Sequence, residues 1–286
     1  MTSLVLNANL LWVMFGTLLL GVTAAAIGGL AVLRARALIG DVLAHAAIPG
    51  VMMGVILMGS LSPLLLVVFA LFTGMLAYHL IHILTQHTKL RSDTAMAIIL
   101  ATFFALGMLL LSYIQAQHWP NTAGLDRILF GQAAAITRAE LVQLLALSLF
   151  TLLYLVIFFP RLKLILFNPS YAKSLGMPVA REEFLFALVL VMVVVVGMHI
   201  VGAILMAGAL LIPITIMRLW PLGLGLMLSL AAMLAAIAAV SSSLLSLWVE
   251  QSPTGPWMIV ILGVFFSLSW LSYQAYQRLA RSAKHV

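Results

Sequence analysis

Apolar residues run along this chain in long uninterrupted blocks, and short polar gaps between them hold almost all of its charge. Within a block there is neither strand-like alternation nor a single polar helix face. Each block is apolar on all sides, the pattern of a helix surrounded by apolar matter. A block of about 20 such residues has the length needed to cross a bilayer as a helix. Nine candidates follow, at about 10–33, 38–58, 63–84, 95–115, 139–160, 183–199, 202–217, 222–248 and 255–277. The sixth and seventh are short and nearly continuous, so eight spans is the alternative count. The predicted fold class is an all-α polytopic membrane helix bundle, a single transmembrane domain over residues 1–286.

Composition strengthens this reading. Hydrophobic residues make up 65% of the 286 and charged residues only 7%, with a mean hydropathy of +1.23. A water-facing domain carries roughly 25% charged residues, so this chain has too few to cover a solvated surface. Its net charge of +7 does not indicate nucleic acid, because the basic residues sit in the gaps and not on one polar domain. There is no cysteine, which excludes a disulfide framework and thiolate metal sites. The first apolar block is too long for a signal-peptide core and ends in Arg34 and Arg36, so it reads as a retained helix.

Charge also orients the chain. With the N-terminus outside, the inner gaps hold Arg34, Arg36, Lys89, Arg91, Arg161, Lys163, Lys173, Arg181, Arg218, Arg278, Arg281 and Lys284, which is 12 of the 14 basic residues. Only Arg127 and Arg138 fall outside. Positive charge favours the cytoplasmic side, so the prediction is an outside N-terminus and a cytoplasmic C-terminus. Fusing the sixth and seventh blocks would set the two halves of the chain in conflict, which favours nine spans. Two gaps are long: an external loop at about 117–138 and a cytoplasmic one at about 161–181, reading "RLKLILFNPSYAKSLGMPVAR".

Candidate chemistry is concentrated in the second block, "ALIGDVLAHAAIPGVMMGVILM". Asp41 and His45 are four apart and share one helix face. Pro49, four further on, lacks an N–H, so the His45 carbonyl loses its helical donor and a kink is predicted. Carboxylate, imidazole and a freed carbonyl suit zinc, manganese or ferrous iron. The spacing fits equally a solvated or capping Asp41 near the interface and a packed His45. Gly50 and Gly54 form a step that lets another helix backbone approach.

Other polar positions carry less. His199 reads as a second ligand on the same path or as an interfacial histidine. Pro213 is predicted to break the seventh helix and, with the glycines before it, to mark a gating segment. His79 and His82, three apart, with His87 beyond, suggest either an exit site or solvated interfacial histidines. The 16 methionines are scattered, as packing residues are, and not grouped as copper ligands. No H-E-x-x-H is present, and none of the lysines follows a glycine, so a Walker A phosphate loop is missing too. Active transport would therefore draw its energy from a partner or an ion gradient.

Several segments together resemble the ABC-3 family of metal permeases. "GDVLAHAAIPG" resembles that family's G-D-x-x-x-H-x-x-x-P-G, and "LRSDTAMAIILATFFALGMLLLS" its S-D segment and following helix. "GLDRILFGQAAAIT" is similar to its outer-loop L-D-x-x-L-F-G, with wording that leans toward the manganese and iron branch. "VGAILMAGALLIPITIMRL" and "SPTGPWMIVILG" resemble its two late elements. The matches lie in order across about residues 34–263.

The resemblance implies a type II ABC importer-like permease in the bacterial inner membrane, itself without ATPase activity and without a permanently bound cofactor. Its cargo would be Mn2+, Zn2+ or Fe2+, with Asp41 and His45, and more weakly His199, as ligands. Its partners would be a second permease copy, an ABC subunit that binds ATP, and an extracytoplasmic metal-binding protein. "SYAKSLGM", with Ala172, Leu175 and Gly176, is similar to the family's coupling segment, which docks on the ATPase. Where that segment usually opens on an acidic residue, Asn168-Pro169-Ser170 stands here. A stand-alone secondary metal carrier and a permease for an iron chelate are the rival readings.

Overall fold

The computed structural model describes residues 2–34, 36, 38–58, 63–117, 136–248 and 254–282. Most of the external loop, including "GLDRILFG", lies outside the described residues, as do the last four residues of the chain. Ten helices are described: α1 Thr2–Leu33, α2 Ile39–Met58, α3 Pro63–His87, α4 Ser92–Ala116, α5 Arg138–Phe167, α6 Pro169–Ser174, α7 Val179–Val201, α8 Ala203–Met217, α9 Leu224–Trp248 and α10 Thr254–Ser282. No strand occurs among the described residues.

Eight of these helices are long and apolar enough to cross a membrane, and α8, at 15 residues, is apolar but shorter than a full span. Helices α1, α2 and α7 are mostly buried, whereas α4, α5, α9 and α10 present most of their surface outward. The outward side chains include Leu109, Leu149, Val156 and Leu268. An apolar exterior around an apolar interior is what lipid as the solvent requires.

Close approach of small residues assembles the centre. A Cβ on Gly28 of α1 would come within 2.8 Å of the Leu210 Cα, so α8 is set directly against α1. A Cβ on Gly50 of α2 would lie 2.7 Å from the Phe69 carbonyl carbon, so α3 is set against α2. Two hydroxyl contacts tie α1 to its neighbours: Thr17 with Ser243 of α9 at 3.2 Å, and Thr23 with Ser148 of α5 at 2.6 Å. In an apolar medium such pairs hold helices together by about 1 kcal/mol each.

The break between the sixth and seventh blocks is real and falls on Gly202, whose φ of 92° and ψ of 158° few other residues tolerate. There the chain reverses. Met206 packs on Gly197 and Leu210 on Gly28, so α8 runs back alongside α1 in the same direction. That reversal returns Arg218 to the end of the bundle that holds Arg34. The α1–α2, α3–α4, α5–α7 and α8–α9 connections all lie at this basic end.

Two expectations need correction. Pro213 does not break its helix: α8 continues through it to Met217. Likewise α5 runs through Pro160 as far as Phe167, so the long inner gap is partly helical. Neighbouring helices supply the packing that keeps a proline-containing turn helical in a membrane bundle. At the opposite end, Arg138 starts α5 behind a capping box in which Thr137 and Glu140 satisfy each other's backbone N–H groups. Its guanidinium lies 5.4 Å from the Trp12 ring centroid.

Candidate metal centre and coupling segment

Helix α2 starts at Ile39, so Asp41 falls in its first turn, where the helix dipole favours a carboxylate. One turn later His45 Nε2 stands 3.4 Å from Asp41 Oδ1. Both side chains are partly exposed, 40% for Asp41 and 26% for His45, so the pair borders open space and is not sealed in the core. The imidazole is held on its other side. Its Nδ1 is buried without a hydrogen-bond partner among the described residues, and its ring meets Phe104 of α4 edge-on at 5.1 Å. A ring held in this way presents Nε2 and the carboxylate together toward the open side.

Pro49 lies two turns above Asp41, buried, with α2 continuous through it. The position its N–H would occupy is filled by the ring, leaving the His45 carbonyl without an i+4 donor. Gly107 of α4 packs directly on this turn: a Cβ there would lie 3.2 Å from Pro49 Cδ and 2.8 Å from Ile48 Cγ2. The acid, the imidazole, the proline and α4 thus form one wall.

His199 is not on that wall. Gly74 packs on Val191 and Gly50 on Thr73, so Val191 and Gly50 share a level. His45 lies five residues to one side of that level and His199 eight to the other. At 1.5 Å per residue they are roughly 20 Å apart along the bundle. No cluster of three or more His, Asp or Glu side chains with metal-ligand spacing occurs among the described residues. His79 and His82 instead line a cavity of about 410 Å³ between α3 and α7, whose walls are mostly apolar and include Glu183.

The coupling-like segment is built from its own capping signals. Asn168 Oδ1 accepts a hydrogen bond from Tyr171 N–H at 3.0 Å and so caps the helix. Pro169 occupies the first turn of α6. Gly176 takes a φ of 76° and ends it. Met177 N–H reaches the Ala172 carbonyl at 3.1 Å and Gly176 N–H the Lys173 carbonyl at 3.0 Å, the paired bonds of a Schellman stop. Ala172 is buried against Ile165 and Val179, while Tyr171 and Leu175 stand out, 52% and 56% exposed.

Sequence reading missed the charged cluster beside this segment. Arg161 Nη1 donates to Glu182 Oε1 at 2.9 Å, and Glu182 is only 3% exposed. Arg34 lies over Phe186 at 4.5 Å, and Arg36 both donates to the Tyr78 hydroxyl and covers the Tyr78 ring. Burial pulls the Arg34 guanidinium below its ordinary pKa, and the charge of nearby Glu183 acts against that pull. The only signal available beforehand was four basic residues in the inner gap facing two acids, Glu182 and Glu183, at its end.

The sequence model of the ABC 3 transport family matches residues 7–272. A manganese transport system membrane protein of Bacillus subtilis is 36% identical over 265 residues, 93% of this chain, which spans 61% of that relative's length. A zinc transport system membrane protein of Treponema pallidum is 32% identical over 250 residues, 87% of this chain and 84% of its own. The solved structure of PsaBC from Streptococcus pneumoniae superposes with a TM-score of 0.78 at 28% identity, covering 94% of both chains.

Proposed function

The chain belongs to the ABC 3 transport family, and on that footing we propose that it imports a divalent transition metal as the permease of an ATP-driven bacterial complex. The observation that carries the reading is the Asp41–His45 pair. An oxygen and a nitrogen ligand stand together on the open face of a central helix, with the imidazole held by Phe104. Manganese, zinc and ferrous iron all accept such ligands, and their affinity order does not by itself set selectivity.

Two side chains leave a metal's shell open. A second copy of the chain related by two-fold symmetry brings the same pair again, and water fills what remains. An incomplete shell suits a transport site, because an ion must leave as readily as it enters. His199, roughly 20 Å away by helix rise, belongs to a different level of the path.

The basic end of the bundle faces the cytoplasm, as the positive-inside rule requires. There α6 offers Tyr171 and Leu175 to a groove on a separate ATP-binding subunit. An extracytoplasmic metal-binding protein delivers the ion at the other end. The names of the manganese and zinc relatives support the cargo class.

The test is reconstitution of the permease with its ATPase in liposomes, with uptake and ATP hydrolysis scanned across manganese, zinc and ferrous iron. The reading expects one or more of these ions to stimulate hydrolysis and to accumulate only when ATP is supplied. Uptake by the permease alone would make it a secondary carrier. Uptake of an iron chelate that survives Asp41→Ala would remove the metal pair from the mechanism.

A further inference from the structure

The chain leaves the bundle near Arg161, passes through α6, and re-enters near Glu182. The 2.9 Å contact between these two side chains therefore joins the two ends of the coupling segment at its base. Above it, Ile165, Ala172 and Val179 pack as a small separate core. Base and core together tie residues 161–182 to the inner ends of α5 and α7, with Glu182 buried and the Arg161 side chain 58% exposed.

That unit has one further connection. Phe186, one turn beyond Glu182, lies under the Arg34 guanidinium. Arg34 ends α1, its N–H still bonded to the Leu30 carbonyl at 3.3 Å, and Ile39 N–H bonds the Arg36 carbonyl at 3.2 Å as α2 begins. Asp41 follows two residues later. A short braced turn thus separates the coupling segment's anchor from the metal pair.

We propose that Arg161, Glu182 and Arg34 are positioning residues that transmit movement of the coupling segment to the α1–α2 turn and so to Asp41. This rests on the reading of α6 as the part that meets the ATPase. The chemistry of the joint favours the role. Glu182 is buried, Oε1 is held by Arg161, and neither Oε2 nor the hydroxyl of Tyr154, close enough to feel the Glu182 charge, has a hydrogen-bond partner among the described residues. Loss of the Arg161 guanidinium leaves a buried carboxylate that must leave its place or take up a proton. Either change removes the polar tie between α5 and α7 at the base of the segment and leaves only the small apolar core to join them.

The experiment uses the assembled complex with Arg161→Ala, Arg161→Lys, Glu182→Gln and, as control, Lys163→Ala, an exposed cation two residues from the joint. Metal taken up per ATP hydrolysed is measured alongside basal hydrolysis. Because the chain has no cysteine, spin labels placed at Lys173, an exposed position of α6, and at Leu38 report the distance from coupling segment to α1–α2 turn with and without nucleotide. The expectation is that Arg161→Ala and Glu182→Gln keep the ATPase bound and hydrolysing. Their uptake per ATP falls about tenfold, and their label distance broadens and no longer responds to nucleotide. Arg161→Lys restores most of both, and Lys163→Ala changes neither.

The proposal is overturned if hydrolysis and uptake fall together, if the ATPase dissociates, or if the label distance of Glu182→Gln responds as in the parent chain. The label readout does not depend on cargo. A complex that moves no metal, yet whose nucleotide-driven distance change is lost in Glu182→Gln, would refute the metal-import reading and leave the joint standing.

Discussion

His45 Nε2 lies 3.4 Å from Asp41 Oδ1, one helical turn apart, while the opposite edge of the same imidazole is enclosed and its ring is braced by Phe104. The two side chains are part of an open wall and contribute little to the core. Replacing either is therefore expected to spare folding and remove function. Loss of a group that merely orients a ligand costs a metal site about 10–100-fold, and loss of a ligand itself should cost no less. Asp41→Asn and His45→Gln, which keeps most of the side-chain volume against Phe104, are expected to lower metal uptake by at least that factor with little change in melting temperature in detergent. Radiometal uptake in liposomes and thermal unfolding of the purified complex check both halves.

The Asp41–His45 pair was legible in the sequence because both side chains lie on one helix, where spacing fixes geometry. So was the break near Gly202, because charge alternation demanded a reversal that a fused helix could not give. The Arg161–Glu182 joint was not legible, since the distance across a loop depends on how that loop folds back. The continuation of α5 past Pro160 was hidden for a related reason. A proline and a run of cations mark a helix end in water, but here Ile165 packs on Ala172 and Val179 and prolongs the helix. The depth of His199 was equally invisible, because it depends on which levels of α2, α3 and α7 face one another.

Around α6, positions less than a turn apart have opposite consequences. Leu175 is 56% exposed and Ala172 fully buried. Leu175→Asp is expected to leave the permease's own melting temperature unchanged and to weaken its retention of the ATPase subunit. Ala172→Leu is expected to overpack the small core and lower stability by about 1–3 kcal/mol. Co-purification of the ATPase and thermal unfolding of the lone permease separate the two effects.

Gly50 and Gly54 offer a graded test of helix approach. A Cβ at Gly50 would meet the Phe69 backbone, which cannot yield, whereas one at Gly54 would meet the Leu66 and Phe69 side chains at 3.1 Å. Gly50→Ala is expected to destabilise by about 1–3 kcal/mol, and Gly54→Ala by clearly less. Equal melting temperatures for the two variants would mean that α2 and α3 are not this close.

Gly202 tests the reversal itself. Its φ of 92° with ψ of 158° belongs to a region open in practice only to glycine, and a side chain there costs about 1–3 kcal/mol. Gly202→Ala is expected to lower the melting temperature or reduce insertion of the α7–α8 pair. Gly263 in α10 is the control, with open space where its Cβ would be and helical backbone on either side. Gly263→Ala is expected to stabilise slightly, by about 0.5–1 kcal/mol.

The sidedness of the bundle can be read directly, because the chain has no cysteine to remove. Lys89 lies in the exposed α3–α4 turn at the basic end, and Gln117 is exposed at the opposite end of α4. A helix of 25 residues separates them, about 37 Å by helical rise, so they fall on opposite sides of a bilayer whose apolar core is about 30 Å thick. Single-cysteine variants Gln117→Cys, Lys89→Cys and Lys173→Cys are exposed to a maleimide that cannot cross the membrane. Gln117→Cys is expected to react in intact cells, and the other two only after the membrane is opened. The reverse pattern would place the coupling segment outside, where no ATP-binding subunit could reach it, and the import reading would fall with the orientation.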